Sequence, residues 1–397
     1  MPETIPETRL KGPHARPELA TLPPLALYVH IPWCVRKCPY CDFNSHQSTG
    51  DVPEGEYCDA LIRDLENSLP SVWGRRVYTV FFGGGTPSLF SAAAIDRLLS
   101  DIRARLPLAA DAEITLEANP GTFEADKFRD FRAAGVNRLS IGVQSFNPRH
   151  LAALGRIHDD REARRAIEIA LQHFDNVNLD LMYALPGQSP AEARQDAEEA
   201  VAWQTPHLSF YQLTIEPDTV FSRRPPALPD DECSMGIESI VKETLSQAGY
   251  GNYETSAYAI PRRECRHNLN YWQFGDYLGI GAGAHSKISF ADRVMRQSRV
   301  RQPREYLRKA TSGAAVHEER ELTRGDAIAE FMMNALRLTE GFPVPLFQER
   351  TGLSISAAEK PLGVAEAKGL IDRDAFRIRP TELGRRFLND LLQIFLP

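Results

Sequence analysis

Between residues 25 and 217 the chain alternates short apolar runs with stretches of helical periodicity. The runs are 25–31 (LALYVHI), 77–82 (VYTVFF), 113–117 (EITLE), 138–143 (RLSIGV), 177–183 (VNLDLMY) and 207–213 (HLSFYQL). Helical patterns fall near 55–69, 91–105, 124–134, 159–174 and 190–203; in the fourth of these Ala163, Ile167, Ala170 and Phe174 share one face. Strands separated by helices pair in parallel through right-handed crossovers. The pattern predicts an α/β fold: an incomplete parallel βα barrel of the TIM type, spanning 25–217, rather than an open doubly wound sheet. In either architecture ligands sit at the carboxyl ends of the strands.

The rest of the chain reads as three further segments. Residues 1–24 are rich in Pro and charge and contain no apolar core of an export signal, so they are expected to form a flexible arm. Residues 218–320 open with a Pro-rich break, continue with a helix at 231–248 and then read as loop-rich to about 300. From 321 the pattern is helical again, over 324–338, 343–351 and 354–369, with a short hairpin and a last helix, which together resemble a winged helix. The net charge is −7 and no dense basic face stands out, so nucleic acid is not an expected partner. No apolar run is long enough to cross a bilayer, and the cytoplasm is the expected location.

Three of the six cysteines crowd directly behind the first strand, in YVHIPWCVRKCPYCDF: Cys34, Cys38 and Cys41, spaced C-x3-C-x2-C. Crowded thiols in a long chain suggest a metal site rather than disulfides. Three thiolates can hold three irons of a four-iron cluster and leave the fourth open to a ligand. Zinc with His30 or His46 as fourth ligand remains an alternative on spacing alone, as does a redox pair of Cys38 and Cys41.

Polar residues recur at the following strand ends. The second strand closes on Gly83-Gly84-Gly85-Thr86-Pro87, where a chain without Cβ atoms lets backbone approach a ligand. The turn is neither a Rossmann fingerprint nor a P-loop. Glu117, Gln144 and Asp180 follow at the ends of the next three strands, and Arg156 lies in LGRIH. One such residue per strand end suggests a ligand-lined barrel mouth.

On YVHIPWC…CPYCDFNSH, GGGTPS, SIGVQSF, LGRIH and DLMYALPGQ, the chain resembles the radical S-adenosylmethionine (SAM) superfamily. It is most similar to the branch that holds oxygen-independent coproporphyrinogen III oxidase and the haem chaperones. The resemblance implies a [4Fe–4S] cluster on Cys34, Cys38 and Cys41, with SAM on the open iron. It further implies SAM-site roles for Tyr28, Tyr40, Gly84, Gly85, Thr86, Glu117, Gln144, Arg156 and Asp180. The cluster would take an electron from a donor and pass it to SAM.

Two features separate the members of that branch. The oxidase carries a fourth cysteine two positions beyond the third, where this chain has Phe43, and a longer N-terminal segment. The segment His267-Asn-Leu-Asn-Tyr271-Trp272 is similar to the HNxxYW motif of the chaperone group. That similarity implies haem b as cargo, with His267, Tyr271 and Trp272 as haem contacts; Cys265 and His285 are weaker candidates. It also implies haem-acceptor proteins, of the respiratory chain, as partners, with a homodimer and a peripheral membrane contact as further expectations. The alternative is an oxidase or dehydrogenase-type enzyme of haem biosynthesis.

Overall fold

The computed structural model describes residues 18–48, 50–121 and 127–396. The strands of the predicted barrel are β1 (Leu25–Ile31), β2 (Val77–Gly84), β3 (Leu108–Ala118), β4 (Arg138–Gln144), β5 (Val177–Tyr183) and β6 (His207–Gln212). They pair in sequence order and in parallel, with Tyr28 opposite Phe81 and Ile31 opposite Gly84. In β1 every side chain except Tyr28 is buried. A strand covered on both faces reads as an unbroken apolar run, which is why its sequence marks it so clearly.

The connecting helices are α1 (Glu54–Val72), α2 (Ala92–Arg105), α3 (Phe128–Ala134), α4 (Asp160–His173) and α5 (Pro190–Ala202). Each packs an apolar stripe on the sheet. Asp159 before α4 and Ser189 before α5 close reciprocal capping boxes with Glu162 and Glu192, so the entry of both helices is set locally. The first positions of the predicted 124–134 helix lie outside the described residues; α3 begins at Phe128.

The region read as loop-rich is instead largely sheet. After helix α6 (Asp231–Gln247) come β7 (Gly251–Glu254), β8 (Ala257–Ala259), helix α7 (Arg266–Trp272), β9 (Asp276–Ile280), β10 (His285–Ser289), β11 (Val294–Arg299), helix α8 (Pro303–Thr311) and β12 (Val316–Glu321). They extend the barrel strands at both edges into a 12-stranded sheet, in the order β12-β11-β10-β9-β1-β2-β3-β4-β5-β6-β8-β7. Strand β9 pairs with β1 in parallel and so lengthens the parallel run. The others are antiparallel additions.

Of the arm, residues 1–17 lie outside the described residues. The remainder is fixed to the body: Leu19 is buried, its N–H donates to Ala291 O, and the Pro23 carbonyl accepts from Arg75. The C-terminal segment has a core of its own, where Phe331 meets Phe342 and Phe347 edge-on at 4.9 and 5.0 Å. Its helices Arg324–Ala335, Val344–Thr351 and Glu359–Ala367 stand beside a 3-stranded sheet, the winged-helix-like arrangement expected.

A buried ion pair holds the extension to the barrel. Arg299 of β11 and Asp64 of α1 meet at 2.9 Å, both essentially without solvent contact. Asp64 also accepts from Tyr306 Oη at 2.9 Å and from the Gly281 amide at 3.3 Å. Removing one partner strands the other charge in a dry site. Asp64→Ala is therefore expected to cost about 3–5 kcal/mol of unfolding free energy, measured by urea denaturation; a loss under about 1 kcal/mol, the size of an exposed pair, would contradict the reading.

Candidate functional site

The cysteine loop leaves the carboxyl end of β1. A two-residue parallel bridge, Trp33–Cys34 against His46–Gln47, draws the loop into a closed hairpin-like excursion. Amides of His46 and Ser48 donate to Pro32 O and Cys34 O at 2.7 and 2.8 Å. All three thiols are free and face one cavity of about 380 Å3 at the strand ends.

Asn44 pins the far side of that loop to the extension. Its Nδ2 donates to Ala282 O and to Arg301 O, both at 2.9 Å. The carbonyl of Asn44 is in turn met by His30 Nε2 at 2.9 Å. A Cβ on Gly283, whose φ is +77°, would lie 2.4 Å from Asn44 Nδ2, so the approach of the two loops requires glycine there. Asn44 carries no signal in the sequence because its partners lie 238 and 257 residues further along the chain. Asn44→Ala is expected to lower cluster occupancy severalfold after reconstitution, through the loss of two hydrogen bonds that anchor the loop; iron and sulfide analysis checks it.

The glycine turn works differently from the sequence expectation. A Cβ on Gly85 would stand 2.5 Å from the Trp33 carbonyl oxygen, and one on Gly84, at φ +116°, 2.5 Å from the His30 ring. These glycines make room first for the chain that leads into the cysteines. Gly85→Ala is therefore expected to displace the cysteine loop itself and to abolish the visible absorbance of a reconstituted cluster.

Around the cavity stand Thr86, Glu117, Gln144, Arg156 and Asp180 from the strand ends and the segments after them, and Tyr40 from the cysteine loop. Arg156 is held by Asn119 Oδ1 at 2.8 Å and Gly142 O at 3.0 Å, and its Nη1 lies 3.4 Å from Cys38 Sγ. A fixed guanidinium there offsets negative charge on sulfur. Asn119, which also donates to Thr86 Oγ1 at 2.9 Å, is a site residue the sequence reading passed over, although it follows Glu117 in the same strand-end segment. Gln144 takes a left-handed backbone, φ +69°, uncommon for a residue with a side chain.

Tyr28 stands apart from the other expected SAM residues. It does not line this cavity; its ring lies deeper in the barrel and its hydroxyl meets His30 Nδ1 at 2.9 Å. Burial and the Glu117 charge push its phenol well above the usual range.

The two carboxyls are half-buried, with Arg138 as the countercharge that acts on both. Burial, then the neighbouring Asp180, pushes Glu117 up to about 8, against the Gly84 amide that donates to it at 3.2 Å. Asp180 is raised by burial and opposed by hydrogen bonds from Ser140 and Asn178 at 2.7 and 2.9 Å. Two such groups in one cavity suit a cationic ligand.

The donor set also separates the metal readings. Among the described residues no three His, Cys, Asp or Glu side chains converge tightly enough for a single metal ion. His30 is engaged by Tyr28 and Asn44, and His46 by Asn44 Oδ1 at 3.2 Å. A cubic cluster takes one cysteine per iron and spreads its sulfurs more widely than a zinc ion does. The residues therefore fit a cluster better than zinc.

The residues expected as haem contacts, His267, Tyr271 and Trp272, lie away from the cysteine cavity. They form helix α7, which closes the amino-terminal end of the barrel, opposite the cysteines. His267 is 2% exposed; its amide donates to Glu113 at 3.0 Å and its Nδ1 meets Thr79 Oγ1 at 2.8 Å. Its ring stacks on Phe81 at 4.9 Å and meets Tyr271 at a tilt, 5.1 Å away. Trp272 lies under Arg337. The cavity beside His267, about 230 Å3, is smaller than those of drug-sized ligands, about 300–1,000 Å3. Cys265 is likewise buried, against Glu113, and only His285 is exposed.

Comparison with known proteins follows the same division. The model of the radical SAM superfamily matches residues 28–200, and that of the HemN C-terminal domain matches 322–387. The solved coproporphyrinogen III oxidase (HemN) of Escherichia coli superposes with a TM-score of 0.80 at 26% identity, over 94% of this chain and 90% of that one. The curated heme chaperone HemW of Escherichia coli is 51% identical over 95% of this chain and 100% of its own length. The chain belongs to the HemW family. Heme chaperone HemW of Haemophilus influenzae is 47% identical over 94% of this chain and 98% of its own, and that of Mycobacterium tuberculosis 36% over 97% and 99%. The fold is thus the radical SAM α/β fold with a helical C-terminal domain, and HemW membership carries a [4Fe–4S] cluster and SAM as cofactors. No described helix is long and apolar enough to cross a membrane.

Proposed function

We propose that this chain is a haem chaperone that carries its cluster on Cys34, Cys38 and Cys41 and binds haem b for delivery to acceptor proteins of the respiratory chain. The observation that carries this reading is full-length identity to HemW, joined to three free thiols around one cavity and Phe43 where the oxidase would place a further thiolate. Phe43 is 63% exposed and supplies no ligand.

The chain's own residues divide the work. Tyr40, Gly84, Gly85, Thr86, Gln144 and Arg156 shape and orient the SAM site, while Glu117 and Asp180 receive cationic groups of SAM. When bound and reduced, the cluster supplies an electron to SAM. Arg156 steadies the charge at Cys38, and the two carboxyls favour a ligand that brings positive charge. An electron donor and the cytoplasm belong to this reading as the setting in which a reduced cluster persists. His267→Ala tests the haem contacts expected of the HNLNYW helix: a lost or shifted haem absorbance band assigns His267 as a ligand, and an unchanged affinity and spectrum remove it.

The deciding experiment incubates the cluster-loaded chain anaerobically with SAM and coproporphyrinogen III and titrates haem into the same preparation. Saturable haem binding without protoporphyrinogen supports the chaperone. Protoporphyrinogen formation supports the oxidase alternative instead.

A further inference from the structure

The cysteine loop is open on two sides. Its inner side faces the cavity at the strand ends, and its outer side faces a groove of about 340 Å3 lined by Lys37, Phe43, His46, Asp218 and Arg301. Cys41 lines both. A ligand in the inner cavity covers that approach to the thiols. The groove leaves a second approach, which ends on the same cysteine.

The loop and its neighbour hold apolar side chains outward on this side. Phe43 is 63% exposed and Val35 46%. Val220, 56% exposed, begins the short helix Val220–Arg223. That helix is tied to the loop: the Phe221 amide donates to Pro39 O at 3.0 Å, and its ring lies 6.3 Å from that of Tyr40. The exposure of Phe43 is not a product of slack backbone. Lys37 Nζ donates to its carbonyl at 3.1 Å, and the next residue, Asn44, donates to Ala282 O and Arg301 O. Several large apolar groups fixed in water on a pinned loop mark a contact surface.

Charge narrows the partner. Arg36, Lys37, Arg223, Arg224 and Arg301 are all exposed on these segments. Among the described residues none of the five makes an ion pair. Against them stand Asp42, Glu216 and Asp218 at the rims of the two openings. The face is thus positive in a chain whose net charge is −7. An acidic surface is its complement, and complementary charge steers the encounter of two proteins more than it tightens the complex. Encounters that only pass an electron bury little surface, so a few apolar side chains inside a cationic rim are sufficient.

We propose that the outer face of the cysteine loop docks an acidic one-electron carrier protein, seated on Val35, Phe43 and Val220, which reduces the cluster from the side of Cys41. The inference rests on the cluster assignment of the proposed function. One electron leaves the carrier and enters the cluster; no covalent bond forms or breaks.

The test mixes the cluster-loaded full chain anaerobically with the hydroquinone of an acidic flavodoxin. Appearance of the flavin semiquinone and bleaching of the cluster follow the electron. The double variant Arg223→Glu/Arg301→Glu is expected to slow both about tenfold at low salt, and Phe43→Ser severalfold. A small photoreduced deazaflavin is expected to reduce each variant at the wild-type rate. An unchanged rate with flavodoxin, or an equal fall with the small reductant, overturns the proposal. Should the variants not fold, the wild-type chain decides. Its rate is expected to fall severalfold between about 0.01 M and about 0.15 M salt, as the screening length shortens; a salt-independent rate overturns the proposal. A carbodiimide cross-link, an amide formed with loss of water between a carrier carboxyl and Lys37 Nζ, is a readout without electron transfer. Links confined to other lysines, or joining two copies of this chain at Lys37, overturn it. A wild-type chain that takes up no iron fails the cluster reading and this proposal together, whereas an intact cluster with an unchanged rate in the variants fails the proposal alone.

Discussion

Replacing Cys38 by alanine is expected to remove the cluster and, with it, all SAM cleavage. Three thiols supply the protein ligands of the proposed site, so the loss of one leaves two irons without protein. Cys38 is also the sulfur that Arg156 approaches, at 3.4 Å. Without a thiolate there, a buried guanidinium faces a methyl group and loses its charge partner. Iron and sulfide analysis after anaerobic reconstitution checks the first effect, and 5′-deoxyadenosine release the second. Cys58→Ala is the control, because that thiol is buried at α1. Retention of four irons in the Cys38 variant would sink the assignment.

The second large effect is a pH dependence set by Glu117. Its folded-state value, about 8, stands above the ordinary carboxyl value of 4.5. The folded chain without SAM therefore holds a proton that the unfolded chain releases. Stability contributed by this group is present below about pH 4.5 and falls as pH rises toward about 8, by a few kcal/mol. A cation reverses the balance, because ionised Glu117 can pair with it. SAM affinity is accordingly expected to rise through about pH 7–9. Glu117→Gln should be more stable than the parent at pH 8 without SAM, yet bind SAM more than about tenfold more weakly and with a flat pH profile. Calorimetric titration at three pH values measures both. An unchanged pH profile in the variant would assign the dependence to Asp180 or another group.

The sequence revealed the barrel more fully than its additions. Strands β1, β4 and β5 are covered on both sides nearly throughout, and burial on both faces writes a largely apolar run. The strands after residue 250 carry no such mark. Val316–Glu321 is exposed along its whole length, and Asp276–Ile280 includes Gly279, whose Cβ would meet His285 O at 2.0 Å. Charge on an edge strand and glycine at a close crossing both read as loop in one dimension. The site divides in the same way. Side chains at strand ends fall at a regular interval and were found. Asn44 and Asn119 act by bridging segments, and no local pattern announces that. His267 is ambiguous for a related reason: a histidine beside aromatic residues has the same composition in a ligand site and in a barrel plug.

The pairing of β1 with β9 also bears on how the chain is made. Leu25 lies opposite Asp276, so the first strand of the barrel meets one of its neighbours only after about 250 more residues have been synthesised. At about 5–20 residues per second this interval lasts from about 12 to 50 s. Throughout it Asn44 has neither Ala282 nor Arg301 to bind, and the three thiols sit on a loop anchored at one side. Cluster insertion is therefore best placed after release from the ribosome. A nascent chain arrested before residue 276 should expose its cysteines to alkylation far faster than the finished protein does.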